Sequence, residues 1–286
     1  MKRREPDGER AAADGEDPLL FPPPTFPPGS AAEAPRQRLR TRARNRLSRG
    51  LFILPTLFTV GNLFCGYLSV WCSIRGTFET AAILIIAAAI LDMLDGRIAR
   101  LTNSASRFGE EYDSLADLVS FGVAPAVLAY SWGLADFHRL GWMASFLFVV
   151  CGSMRLARFN IQTRVADKKY FIGLPIPAAA GTISTLVLAT PERLQSPFWM
   201  AGLLALTVIL SYLMISTLKY RSFKDLDLRR QRRAWILPVI ALVFAVVAYR
   251  PAMTLLALAL IFAASGPVAK AVSVIRDRRQ RPAVRA

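Results

Sequence analysis

Four aspartates, Asp92, Asp95, Asp113 and Asp117, lie in a part of the chain that is otherwise strongly apolar. On helices the first two are three residues apart and the last two are four apart, so each pair projects from one face of its own helix. The short connection between the two helices lets these faces converge. Carboxylates brought together in this way repel one another unless they are protonated or bridged by cations.

The side chains of these aspartates, which we call the acidic cluster, offer only oxygen atoms as ligands. With no histidine or cysteine beside them, they favour a hard divalent cation such as Mg²⁺, Mn²⁺ or Ca²⁺. Shared carboxylates favour two such ions, an arrangement that holds phosphate oxygens during an in-line displacement. The only histidine, His138, falls in a predicted loop across the membrane, so any general base has to be a carboxylate.

Small and basic residues accompany the acids. Gly96 and Ala99 leave room for a ligand or for a neighbouring helix, and Gly109 permits the same approach on the third helix. Arg100 lies one turn beyond Gly96, where its guanidinium can meet a phosphate. The alternative is tight helix packing through the small residues, with charges that merely end a span. That alternative explains the small residues but not four acids.

The elements that must carry these residues are membrane helices. The chain has 286 residues, 53% of them hydrophobic, and 36 Lys and Arg against 20 Asp and Glu, which is typical of a membrane protein with basic edges. A nucleic-acid binder would concentrate its basic residues on a folded polar surface, whereas here they punctuate apolar runs, so we expect no nucleic-acid partner. Anionic lipid head groups are the expected counter-charge.

Eight apolar segments predict an all-α polytopic bundle of about eight transmembrane helices. Most of them approach the ~20 residues that cross a bilayer as a helix. Only Arg250 and Pro251 separate the last two, so the count could differ by one pair. The segments cover residues 52–74, 79–97, 113–132, 140–160, 174–190, 197–218, 234–249 and 252–272.

The distribution of basic residues predicts the orientation. With the N-terminus in the cytoplasm, the external loops hold 4 of the 36 Lys and Arg residues, which leaves 32 on the cytoplasmic side. We therefore expect a protein of the cytoplasmic membrane with both termini and the acidic cluster facing the cytoplasm. The three cysteines, Cys65, Cys72 and Cys151, lie in apolar segments without ligand spacing and are interpreted as small core residues.

Four regions follow from these patterns. Residues 1–35 are rich in Pro, Ala, Gly and acids, and are expected to be a disordered tail. Residues 36–50 form a basic juxtamembrane segment, either a helix lying on anionic lipid or a solvated charge run. Residues 51–275 are the transmembrane catalytic domain, and residues 276–286 are a basic C-terminal tail. The first apolar run begins only near residue 51, so no cleavable signal is expected.

Eight residues in the acidic stretch match the signature Asp-x2-Asp-Gly-x2-Ala-Arg-x8-Gly-x3-Asp-x3-Asp without departure, and the chain thereby resembles the CDP-alcohol phosphotransferase family. The resemblance implies a membrane bundle with a six-helix core, usually dimeric, so a homodimer is expected. It implies that the four aspartates bind two divalent metals and that Asp117 also acts as the base for the incoming alcohol. It places the CDP group among Gly96, Ala99, Arg100 and Gly109. The matching residues are Asp92, Asp95, Gly96, Ala99, Arg100, Gly109, Asp113 and Asp117.

Stretches between residues 54 and 181 also resemble bacterial membrane-embedded phosphatidylserine synthases. They include LPTLFTVGNLFCGYLSV, SLADLVSFGVAPA, RLARFN and DKKYFIGLPIPAAAG. Thr59 and Asn62 suit hydrogen bonding to the nucleotide or its diphosphate, although interhelical bonding fits them equally. The candidates for holding a serine carboxylate or a lipid phosphate are Arg155, Arg158, Asn160, Lys168 and Lys169, where anchoring explains the two lysines nearly as well.

The resemblance implies transfer of a phosphatidyl group from CDP-diacylglycerol to L-serine. Within the family, glycerol 3-phosphate or an inositol compound as acceptor, or an archaeal-type lipid donor, stay open because the acidic signature does not separate them. The soluble type of phosphatidylserine synthase needs paired histidines, which this chain lacks. In a different class, a transporter could bind a permeating cation at the acids, but the external loops are short and almost uncharged.

Overall fold

A computed structural model describes residues 56–101, 106–163, 170–221 and 249–280, and all structural statements below refer to these residues. Several sequence predictions lie outside them: the N-terminal tail, the basic segment 36–50, Lys168 and Lys169, most of the seventh apolar segment, and the last residues of the C-terminal tail. The side chains of Ala99 and Arg100 also lie outside the described part, although their backbone belongs to a helix.

The described chain is a bundle of helices, which confirms the predicted fold class. Two three-residue strands in the connections, β1 and β2, pair antiparallel with Phe171 opposite Tyr220. The elements in order are α1 (Thr56–Ile74), α2 (Phe78–Leu101), α3 (Arg107–Asp117), α4 (Ala124–Ala129), α5 (Arg139–Thr163), β1 (Tyr170–Ile172), α6 (Ile176–Ala189), α7 (Pro197–Ile215), β2 (Lys219–Arg221) and α8 (Pro251–Gln280).

Five helical stretches are long and apolar enough to cross a membrane: Thr56–Ile74, Phe108–Phe137, Arg139–Ile161, Pro197–Ile215 and Pro251–Ser273. Their outer faces expose large apolar side chains such as Leu57, Trp199 and Ile261, which suits contact with lipid and marks an integral membrane protein. Helix α2 has 24 residues but carries Asp92 and Asp95 near its end. Helix α6 is apolar but has only 14 residues.

The third predicted span is one continuous but irregular stretch. Between α3 and α4 the backbone is π-helical over Leu118–Val123, and after α4 it is π-helical again over Tyr130–Leu134 before a 3-10 turn at Ala135–Phe137. Pro125 explains the first irregularity, because it has no amide hydrogen and its ring crowds the carbonyl one turn earlier. The π-helical segment thus begins directly after Asp117.

Helix α6 lies at the centre of the bundle, in contact with α2, α7 and α8. Most of its residues are buried, including Ile176, Ala180 and Ile183. The turn before it requires glycine, because Gly173 has φ of +79° and a Cβ there would come 2.5 Å from the main-chain oxygen of Met214. The three cysteines are free; Cys151 is buried, whereas Cys65 and Cys72 are half-buried and pack against the core.

Candidate active site

The acidic cluster forms between the second half of α2, which carries Asp92 and Asp95, and α3, which carries Asp113 and ends at Asp117. Asp92, Asp95 and Asp113 each offer a carboxylate oxygen, and these three atoms lie within 4.8 Å of one another. Asp95 is only 4% exposed. The fourth carboxylate, Asp117, is close enough for its charge to interact with those of the other three. Like charges this close in an apolar bundle need a cation or protons to balance them.

Helix α1 holds two of the acids by hydrogen bonds. Thr59 Oγ1 donates to Asp95 Oδ2 at 3.1 Å, and Asn62 Nδ2 donates to Asp117 Oδ1 at 3.2 Å. Thr59 and Asn62 are three residues apart, so both face the same side of α1, and both are buried. The sequence left two roles open for this pair, hydrogen bonding to the nucleotide and hydrogen bonding between helices. The structure displays the second, with Asp95 and Asp117 as the acceptors.

Two buried polar atoms in the described residues have no hydrogen-bond partner: Asp113 Oδ1 and Asn62 Oδ1. Both belong to residues at the acidic cluster. Leaving such an atom unsatisfied costs about 1–3 kcal/mol, and more for a charged group. A bound divalent cation would satisfy Asp113 Oδ1, and an oxygen-only set of carboxylates is the donor chemistry that such a cation prefers. The residues present therefore fit a hard divalent metal.

The glycines of the signature differ in their surroundings. A Cβ built on Gly96 would meet no atom within 4 Å, so there is open space beside the acids on α2. Gly109 lies in the first turn of α3, where its amide donates to Oγ of Ser106 at 2.9 Å. Ser106 is the N-cap that begins this helix, and it was not singled out in the sequence.

Arg155 on α5 is a buried cation beside the acidic cluster. Its side chain is buried, with the residue 8% exposed, and its charge interacts with that of Asp117. The guanidinium carbon lies 5.2 Å from the centre of the Phe159 ring. No hydrogen bond or ion pair joins this guanidinium to another described residue. Arg155 therefore has donors to spare beside the acidic cluster.

The other anion-binding candidates on α5 are occupied in helix contacts. Arg158 Nη1 donates to the main-chain oxygen of Ile215 at 3.3 Å, at the end of α7. Asn160 Nδ2 donates to Oγ of Ser114 at 2.9 Å, which joins α5 to α3. The structure thus brings Arg155 to the acids and uses the other two to join helices.

Sequence reasoning missed the buried serine that follows the acids. Ser120 Oγ donates to the main-chain oxygen of Asn62 at 2.9 Å, and so links the π-helical segment after α3 to α1 beside Asp117. The available signal was Pro125, which predicts an irregular backbone in the preceding turn. His138 is exposed and directly follows the helical stretch Phe108–Phe137, at the opposite end from Asp113 and Asp117, so the described site contains no histidine.

Comparison with known proteins supports the resemblance seen in the sequence. Residues 52–218 match the family model described as CDP-alcohol phosphatidyltransferase. The CDP-diacylglycerol–serine O-phosphatidyltransferase of Helicobacter pylori (strain ATCC 700392 / 26695) is 41% identical over 199 residues, covering 68% of this chain and 82% of the relative. The enzyme of the same name from Bacillus subtilis is 38% identical over 172 residues, covering 60% of this chain and 91% of the relative. An archaetidylserine synthase of Methanothermobacter thermautotrophicus is 42% identical over 170 residues, covering 58% and 69% of the two chains.

Proposed function

The chain belongs to the CDP-alcohol phosphatidyltransferase family, and on this premise we propose that it transfers the phosphatidyl group of CDP-diacylglycerol to the hydroxyl of L-serine. The products are phosphatidylserine and CMP. The observation that carries the proposal is the convergence of three carboxylates within 4.8 Å, one of them with an orphaned buried oxygen. Relatives named for this reaction, from two bacterial genera, are 41% and 38% identical to this chain.

The acidic cluster is the proposed metal site. Two Mg²⁺ or Mn²⁺ ions, with Ca²⁺ as a further candidate, would be held by Asp92, Asp95, Asp113 and Asp117 and would neutralise the diphosphate and the departing CMP. The open space at Gly96 lets the diphosphate approach the backbone of α2. We assign the surroundings of the CDP group to Thr59, Asn62, Gly96, Ala99, Arg100 and Gly109.

Asp117 is the proposed general base. It accepts the proton of the serine hydroxyl as the serine oxygen attacks the phosphorus that bears the diacylglycerol. The bond from that phosphorus to the bridging oxygen breaks, and CMP leaves with the electron pair. Asn62 orients the base by donating to Asp117 Oδ1. The reaction needs no covalent intermediate, because in an in-line displacement the serine oxygen would expel CMP directly.

Arg155 is the proposed partner of the serine carboxylate. Its guanidinium is buried beside Asp117 and has no hydrogen bond or ion pair to a described residue. In a serine whose hydroxyl reaches Asp117, the carboxylate carbon is only three bonds from the hydroxyl oxygen, within reach of a neighbouring guanidinium. Arg158 and Asn160, on the same helix as Arg155, join α5 to the end of α7 and to α3. Lys168 and Lys169 stay candidates for the lipid phosphate.

The expected setting is the cytoplasmic membrane, with both termini and the acidic cluster on the cytoplasmic side. The uneven distribution of Lys and Arg supports this orientation. Anionic head groups then surround the basic edges of the protein, and a homodimer is the expected assembly. Reporter fusions at each terminus and cross-linking in membranes test the orientation and the dimer.

An acceptor assay tests the function. Membranes containing the protein receive CDP-diacylglycerol, Mn²⁺ or Mg²⁺, and one radiolabelled acceptor: serine, glycerol 3-phosphate or inositol. We expect labelled lipid from serine alone, with one CMP released for each lipid formed. Asp117→Asn should abolish turnover while leaving part of the CDP-diacylglycerol binding, and the exposed Asp136→Asn is the matched control. Incorporation of another alcohol, but not serine, would refute the proposal.

A second donor lipid is a specific alternative, because the relative named archaetidylserine synthase is as similar as the bacterial relatives over the residues it shares. The same assay with a CDP-activated ether lipid of the archaeal type separates the two donors. We expect the diacyl donor to be used at a higher kcat/KM. Cation transport, the alternative from another class, predicts ion flux without CMP release.

A further inference from the structure

Two contacts beside Asp117 join the first and third helical stretches of the chain. Asn62 gives its side-chain amide to Asp117 Oδ1 at 3.2 Å, and its main-chain oxygen accepts from Ser120 Oγ at 2.9 Å. Asn62 and Ser120 are both 0% exposed. One residue of α1 is thus held through its side chain by Asp117 and through its backbone by a residue three positions later.

The hydroxyl of Ser120 is used differently from most buried hydroxyls in this bundle. Ser145, Ser184 and Thr207 each donate to the carbonyl four residues earlier in their own helix. Ser120 instead reaches across to another helix. A bond between helices fixes the position of α1 relative to the third helical stretch, which a bond within one helix does not do.

Gly66 makes this reach possible. A Cβ built on Gly66 would lie 2.7 Å from Cα and 2.9 Å from Cβ of Ser120, distances that packed atoms do not tolerate. The two backbones therefore approach as closely as they do only because residue 66 is glycine. This close approach occurs one turn after Asn62, so it fixes the position of Asn62 along the helix axis relative to Asp117.

The backbone of Ser120 belongs to the π-helical segment Leu118–Val123. A π-helical turn is wider than an α-helical one and recurs at functional sites. Here it begins at the residue after Asp117 and ends just before Pro125. The irregular turn thus lies between the proposed base and the rest of the span.

We infer that Ser120 is a positioning residue for Asp117, acting through the backbone of Asn62, with Gly66 providing the close approach it needs. Ser120 fixes Asn62 at the position along α1 from which the Asn62 side-chain amide donates to Asp117 Oδ1. This hydrogen bond orients the Asp117 carboxylate toward the serine hydroxyl. The inference rests on the proposed phosphatidyl transfer with Asp117 as base.

Ser69 provides a matched control. It is also 0% exposed, it also donates from Oγ to a main-chain oxygen of another helix at 2.9 Å, and its acceptor is Ala81. Ala81 lies three turns before Asp92 on α2, away from the acids. Ser120→Ala and Ser69→Ala therefore remove the same kind of bond at two distances from the chemistry.

The test compares steady-state kinetics of the two variants in purified, lipid-reconstituted protein. We expect Ser120→Ala to lower kcat about five- to tenfold, the scale of one hydrogen bond, with KM for both substrates within about twofold of the parent. Ser69→Ala should keep the parental kcat. Equal kcat in the two variants would overturn the inference. If the parent itself makes no phosphatidylserine, the proposed function fails instead, so the two failures are distinguishable.

A double-mutant cycle with Asn62→Ala checks the route of the effect. If Ser120 acts through Asn62, Ser120→Ala should change kcat by less than about twofold in the Asn62→Ala background, because the coupled interaction is already lost. The full five- to tenfold loss in that background would contradict the route. Ser69→Ala should have the same small effect in both backgrounds.

Discussion

The two ends of the third helical stretch differ in whether their buried polar atoms have hydrogen-bond partners. At one end, Asp113 Oδ1 of the acidic cluster and Oδ1 of Asn62, which contacts the cluster from α1, are buried side-chain atoms without a hydrogen-bond partner in the described residues. At the other end, which we call the far end (Trp132, Asp136, Glu192, Arg193 and Leu194), Trp132 Nε1 donates to the main-chain oxygen of Glu192 at 2.7 Å. The amide of Leu194 returns a bond to the main-chain oxygen of Trp132 at 3.1 Å.

The difference separates stability from function. The far end closes a loop onto the bundle with satisfied hydrogen bonds around a buried tryptophan, so its polar atoms contribute to folding. The carboxylates of the acidic cluster repel one another when ionised, so their proximity does not by itself stabilise the fold. Carboxylates that destabilise the fold on their own are typical of a site where a bound ligand supplies the missing contacts.

The largest effect is expected from removing one carboxylate of the acidic cluster. Asp113→Asn keeps the shape of the side chain but removes the charge whose oxygen is orphaned. Activity should fall on the order of a thousandfold, the scale of losing an electrostatic group that acts in the transition state. The melting temperature should not fall, because like-charge repulsion is relieved. The measurements are CMP release and thermal unfolding in detergent.

A smaller effect is expected at Arg155. Arg155→Met keeps the apolar packing on Phe159 but removes the donors proposed for the serine carboxylate. The loss of one charge-assisted contact of about 1.5–3 kcal/mol should raise KM for serine by roughly 10- to 150-fold. KM for CDP-diacylglycerol should change little. Arg158→Met, on the same helix, is the control, and an equal rise in KM for serine in both variants would contradict the assignment.

At the far end we expect a substitution to lower stability and to leave activity unchanged, the opposite of Asp113→Asn. Trp132→Phe leaves the main-chain oxygen of Glu192 without its donor and removes part of a buried ring. We expect a loss of about 1–3 kcal/mol in stability, seen as a lower melting temperature, with kcat of the folded protein unchanged. A kcat loss comparable to that of Asp113→Asn would remove the distinction between the two ends.

The smallest effect is expected from the surface ion pair of the far end. Arg193 Nη2 and Asp136 Oδ1 are 2.9 Å apart, but both side chains are 53% exposed. Exposed pairs of this kind contribute about 0–1 kcal/mol, so Arg193→Ala should shift the melting temperature by only a degree or two. Serine incorporation should stay at the parental rate, and a marked decrease would show that the far end takes part in the chemistry.

The sequence predicted the acids and the bundle because both depend on local spacing. Residues three or four apart share a helix face whatever the tertiary structure, so the pairing of Asp92 with Asp95 and of Asp113 with Asp117 follows from the chain itself. Long apolar runs likewise have one stable backbone solution in lipid. These features needed no knowledge of which helices touch.

The rest depends on helix register, which spacing does not determine. Arg155 and Arg158 were both candidates for holding an anion, but one is buried beside Asp117 and the other bonds to the end of α7. Thr59 and Asn62 could serve the nucleotide or a neighbouring helix, and only the packed structure displays their bonds to the acids. Ser120 had no signal of its own, because its partner lies 58 residues away.

Manganese binding tests the central claim most directly. Electron paramagnetic resonance measures free Mn²⁺ as purified protein is titrated without substrate, so the result does not depend on activity. We expect saturable Mn²⁺ binding by the parent and by Trp132→Phe, and at least tenfold weaker binding by Asp113→Asn, the scale of a lost charged ligand. Equal Mn²⁺ binding by the parent and by Asp113→Asn would contradict the account of the acidic cluster.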